Sequence, residues 1–125
     1  MRAELDQIKP AVMLAEWESR DMHRAAFKAT YAWFLHEAMH DIVSGKAENL
    51  APLYVYYLWN ESAYPREAMR MTRVSNHDMN AREGTPFERY GDGLKAAIVL
   101  SVIGEGIPMI YGGQEAGNTK RFAFF

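Results

Sequence analysis

Ser75-Asn76-His77-Asp78 closes a strand-like run over residues 69–74, and this stretch decides how the rest of the chain is read. About sixty residues earlier a second apolar run, Ala11-Val12-Met13-Leu14-Ala15, ends on Glu16. Carboxylates at the C-terminal ends of separate strands are how a parallel barrel assembles an acid and its partner around one ligand. Asn76 and His77 add two neutral hydrogen-bonding side chains beside the Asp78 charge, a grouping suited to hydroxyl-rich ligands.

Working outward, the segments alternate. Leu5-Asp6-Gln7-Ile8 reads as the last turn of a helix stopped by Lys9-Pro10. The continuous apolar run over 11–15 suits a strand buried on both faces of a parallel sheet. A weaker strand is expected over 27–31. A helix is expected over 33–43, where Phe34, Ala38 and Ile42 recur four apart, and Ser44-Gly45-Lys46 ends it. A second helix is expected over 49–60 with Pro52 in its first turn. The third strand covers 69–74. Residues 79–88, with Gly84 and Pro86, read as an exposed polar loop. Residues 91–103 form a strongly apolar helix, and Ile107-Pro108-Met109-Ile110-Tyr111 is the fourth strand, followed by Gly112-Gly113. Strands alternating with helices imply right-handed crossovers and parallel pairing. Residues 1–125 therefore read as one unit of four strands. It starts on a helix end and carries no helix after the fourth strand, as expected of a larger barrel truncated at both ends.

Composition narrows the function. The chain has 125 residues, 49% hydrophobic and 24% charged, which fits a folded domain. A net charge of −2 gives no basic footprint for nucleic acid, and no apolar run approaches the ~18 residues of a membrane span. No nucleic-acid or membrane partner is expected. With no cysteine there is no disulfide framework, thiol nucleophile or cysteine metal site. The compartment stays open.

Three motifs in order carry a resemblance. Leu14-Ala15-Glu16-Trp17-Glu18 resembles the fifth-strand motif of the α-amylase family, glycoside hydrolase family 13. Ser75-Asn76-His77-Asp78 resembles its seventh-strand motif, and Gly106-Ile107-Pro108-Met109-Ile110-Tyr111-Gly112-Gly113-Gln114-Glu115 its eighth. The resemblance implies a partial (β/α)8 barrel, strands five to eight with their helices, from a retaining enzyme acting on α-glucosidic bonds. It assigns Glu16 as general acid/base, Asp78 as transition-state stabiliser, and His77 and Asn76 as substrate-binding neighbours. Trp17 is expected either to pack under its loop or to line the cleft. Glu18 reads as a solvated loop residue and Glu115 as a brace at the barrel mouth. The family's nucleophile, an aspartate on the fourth strand two residues after an arginine, has no counterpart before Glu16: the one aspartate there is Asp6. The family's third-strand motif, which often supplies a calcium ligand, is absent too, so no cofactor is expected in this chain and calcium is left to a longer parent. Arg73 departs from the pattern, standing where an apolar or aromatic residue is common, and so does Met79 after the aspartate.

Two other readings stay open. His36-Glu37-Ala38-Met39-His40 fits H-E-x-x-H, two histidines one turn apart that could hold zinc, with Glu61 as a third ligand. Alternatively the chain is a non-catalytic half barrel that associates through its exposed edges.

Overall fold

A computed structural model describes residues 2–124. Four strands, β1 (Leu14–Ala15), β2 (Ala29–Tyr31), β3 (Met69–Thr72) and β4 (Ile107–Pro108), form one sheet in sequence order. All three pairings are parallel, with Leu14 opposite Ala29, Ala29 opposite Met69 and Met71 opposite Ile107. Among the described residues seven α-helices accompany them: α1 (Arg2–Ile8), α2 (Arg20–Ala25), α3 (Trp33–Val43), α4 (Ala51–Ala63), α5 (His77–Arg82), α6 (Pro86–Tyr90) and α7 (Leu94–Ile103). The expected alternation and parallel pairing are therefore present. The C-terminal ends of the strands all face one end of the sheet, as parallel order requires.

The strands are shorter than the apolar runs that announce them. Residues 11–13 lie outside β1, yet the Met13 carbonyl still accepts from Lys28 and Ala29 N–H at 3.1 and 3.2 Å. Pro108 closes β4 because it has no N–H for the ladder, although Met109 N–H donates to Thr72 O at 2.8 Å. Gly106 enters β4 with φ +143, and a Cβ there would lie 2.2 Å from the Arg70 carbonyl, so only glycine lets β4 approach β3 this closely.

The core lies between the sheet and α3, α4 and α7. Leu35, Met39, Tyr56, Val74, Tyr90, Leu94 and Ala97 form one buried cluster. Alternate residues of β3 face it: Thr72 donates its hydroxyl to Ser101 O at 2.6 Å, tying the strand to α7. Residues 79–88 are not the exposed loop that their polarity suggests. Asn76 Oδ1 accepts from Met79 N–H at 2.9 Å and starts α5. Thr85 and Glu88 form a reciprocal capping box that starts α6, with Pro86 in its first turn. These caps turn a turn-rich sequence into two short helices that bury Met79, Asn80 and Pro86. Helix α2 is likewise absent from the sequence reading; Ser19 caps it by accepting from Asp21 N–H at 3.3 Å. Residues 91–93 form a 3-10 turn, so α7 begins at Leu94.

Candidate functional site

Glu16 follows β1 directly, and His77 and Asp78 open α5 after the four residues that follow β3. The parallel sheet brings them to the same end. His77 Nε2 lies 3.7 Å from Glu16 Oε1 and 3.4 Å from Asp78 Oδ2, and one polar atom of each residue lies within 4.8 Å of the others. Their side chains are 54%, 50% and 34% exposed for Glu16, His77 and Asp78, so all three can reach a ligand. An imidazole between two carboxylates can donate to either, and both carboxylates can accept sugar hydroxyls or exchange a proton. Arg82 Nε sits 3.5 Å from Asp78 Oδ1 one turn along α5, and its guanidinium lies 4.9 Å over the Phe124 ring.

The other expected site residues take different places. Trp17 is exposed at this end, with its backbone carbonyl accepting from Tyr31 N–H at 3.2 Å. Asn76 is 1% exposed, and its Oδ1 caps α5. Its observed work is to hold the backbone of His77 and Asp78. Glu115 is exposed. Glu18 is not the solvated residue its loop position suggests. Its Oε2 accepts from Phe34 N–H at 2.8 Å and its Oε1 from the Arg70 guanidinium, with the side chain 13% exposed. Burial pushes the Glu18 carboxyl above the usual range, and the Arg70 charge opposes that.

Two residues beneath the mouth carry no motif. Arg73 is fully buried, its guanidinium 4.3 Å over the Tyr31 ring and 4.0 Å over Trp33. Arg73 takes the place that an apolar strand residue would fill, and the two aromatic faces attract its cation. Burial pushes its pKa below the ordinary guanidinium value. Tyr31 is buried at the end of β2, and its hydroxyl pKa is raised first by burial and then by the Glu16 charge. An aromatic residue at a strand end is the only sequence signal for it.

The H-E-x-x-H helix tells against zinc. His36 is 1% exposed; Arg89 Nη2 lies 2.9 Å from its Nε2 and the Tyr90 hydroxyl 2.7 Å from its Nδ1. Arginine can only donate, so Nε2 accepts, and Nδ1 must carry the hydrogen and donate to Tyr90. Both ring nitrogens are occupied. Burial and the Arg89 charge push its pKa down to about 2, so the imidazole stays neutral. His40 instead has a ligand atom within 4.8 Å of ones from Glu37 and Asp41, a group that does not include His36.

No family model matches the chain, and no curated protein matches it significantly. Solved structures do. A noncanonic maltogenic α-amylase, AmyB from Thermotoga neapolitana, superposes with TM-score 0.84 at 23% identity, over 99% of this chain and 28% of that one. An α-amylase from Lactobacillus plantarum gives TM-score 0.80 at 22% identity, over 99% of this chain and 33% of that one. An α-amylase from H. orenii gives 0.68 at 20%, over 99% and 27%. The chain spans about a third or less of each. Its structural neighbours are thus α-amylases, and over nearly its whole length it has the fold of a segment of them.

Proposed function

We propose that this chain is the portion of a retaining, α-glucan-active glycoside hydrolase that supplies strands five to eight of a (β/α)8 barrel. The convergence of Glu16, His77 and Asp78 at one end of a parallel sheet carries this reading, and the α-amylase structures that share its fold support it. Glu16 protonates the departing glycosidic oxygen and then takes a proton from the incoming water. Asp78 accepts hydroxyl hydrogens that gain positive character as the oxocarbenium ion develops, and His77 donates to a neighbouring oxygen. Trp17, exposed beside Glu16, offers an aromatic face to a sugar ring. The nucleophile, which must stand ~5–5.5 Å from the acid in a retaining enzyme, comes from residues outside this chain.

The test is Glu16→Gln in the full-length protein. It removes the proton donor and almost no bulk. We expect a loss in kcat on the order of 10²–10⁴-fold, with KM and thermal midpoint little changed. Activity near wild type on maltooligosaccharides would overturn the assignment.

A second reading concerns the 125-residue chain alone. Among the described residues β1 and β4 are each paired on one side only, and Val12, Leu14 and Ile110, in or next to them in sequence, are exposed. Open parallel edges flanked by apolar side chains favour association. The isolated chain should show no glucosidase turnover and should elute as a dimer or larger species in light-scattering chromatography. A cooperative monomer with turnover would refute this.

A further inference from the structure

We propose that Glu18 and Arg70 are a positioning pair for Glu16, holding the loop that presents the acid. This rests on the reading of Glu16 given above. Glu16 is half exposed, and the His77 imidazole lies 3.7 Å away, beyond hydrogen-bond distance, so its place is set by the backbone that carries it. That backbone spans the few residues between β1 and α2. Trp17 O accepts from Tyr31 N–H, and Ser19 caps α2, but both contacts are local to the β1–β2 unit. The Glu18 side chain is what reaches further.

Its two oxygens do different work. Oε2 takes the Phe34 N–H, in the first turn of α3, where the N-cap residue Ala32 makes no side-chain cap bond. Glu18 therefore caps α3 from a different loop, and a carboxylate there also suits the positive end of that helix. Oε1 takes Arg70 Nη2, which also donates to Tyr31 O at 2.9 Å, while Arg70 Nη1 donates to Asn60 Oδ1 at 2.9 Å. The guanidinium stacks 3.8 Å from the Tyr64 ring centre and 5.7 Å from that of Trp59. Arg70 is fully buried on β3, so its position is fixed by the sheet and by α4. One carboxylate two residues from the acid is thus tied to β2, β3, α3 and α4 together. Lysine has no fork to serve Glu18, Tyr31 and Asn60 at once.

The experiment compares Glu18→Gln, Arg70→Met, Arg70→Lys and the double variant Glu18→Gln/Arg70→Met in the full-length protein, with maltooligosaccharide as substrate and thermal midpoints recorded alongside. Rates are taken well below the lowest midpoint, so that folded fraction is equal. A displaced acid lowers kcat and leaves ground-state binding alone; displacements of about 1 Å can cost ~10²-fold. We expect Arg70→Met to lose kcat on that order with KM within about threefold. Glu18→Gln, which can still accept from Phe34, should lose about tenfold. Arg70→Lys should not restore the rate, and the double variant should be no slower than Arg70→Met alone. A second arm needs no turnover: hydrogen exchange of residues 14–19 should accelerate in Arg70→Met, with residues 94–103 unchanged. Lower midpoints with kcat within twofold of wild type would overturn the proposal and leave the pair a structural one. Unchanged exchange over 14–19 would also overturn it. An inactive wild type counts against the glycosidase assignment, and the exchange arm then still decides whether the pair holds the loop.

Discussion

His77 and His36 teach opposite lessons from similar beginnings. Each stands in a short motif with acidic company, Asn76-His77-Asp78 in one case and His36-Glu37 with His40 in the other. His77 is half exposed at the strand ends, with Glu16 and Asp78 at 3.7 and 3.4 Å as its charged neighbours. His36 is sealed under α6 with both nitrogens satisfied by Tyr90 and Arg89, and Arg89 is itself paired with Glu83. A histidine with loose partners at an open end can change partners and serve a ligand. One with fixed partners in a dry layer has given its hydrogen-bonding capacity to the fold.

Substituting each residue tests that contrast directly. His36→Ala leaves a cavity and strips a partner from the Tyr90 hydroxyl and from Arg89. We expect a loss of about 3–5 kcal/mol in unfolding free energy, read by denaturant titration, with no change in kcat/KM of the folded full-length enzyme and no zinc in the purified wild type. His77→Ala should do the reverse. Losing one donor to a charged or developing-charge group costs about 1.5–3 kcal/mol in kcat/KM, roughly 10- to 100-fold, while the midpoint moves by less than about a degree or two. If His36→Ala proved stable but inactive, or His77→Ala unfolded, the division between open end and packed layer would fall.

The sequence made legible what is local and what recurs. The apolar runs and their spacing announced four parallel strands and placed α3 over residues 33–43, as observed. Glu16 and Asp78 could be paired in advance because parallel strands must end on one side. What could not be read depends on partners far along the chain. Glu18 looks solvated until Arg70, 52 residues on, arrives from β3. His36 looks like a metal ligand until Tyr90, 54 residues on, caps it. The pair α5 and α6 was hidden for another reason: Asn76 and Thr85 are polar residues typical of loops, and the same chemistry that suits a turn also caps a helix. Asn76 shows the cost of reading a motif as three equivalent side chains, because one of them is turned inward to build the helix that presents the other two.

The smallest expected effect sharpens the comparison through pH. His36 has an ordinary value of 6.5 when exposed in the unfolded chain and about 2 when buried, because burial and the Arg89 charge penalise the imidazolium. Below pH 6.5 the unfolded chain therefore binds a proton that the folded chain refuses. Stability that this residue contributes is present above pH 6.5 and is lost progressively as pH falls toward 2. One such proton corresponds to a slope of about 1.4 kcal/mol per pH unit in that window. Carboxylates titrate in the same range, so the informative quantity is a difference. His36→Gln keeps a neutral group able to accept from Arg89 and donate to Tyr90, yet cannot titrate. It should be less stable than wild type at pH 8, through imperfect packing, and should close that gap as pH falls from 6.5 to 4.5. Denaturant midpoints at four pH values measure it. Parallel stability curves for the two proteins would mean that His36 is charged in the folded state and that the packed layer is more open than its hydrogen bonds indicate.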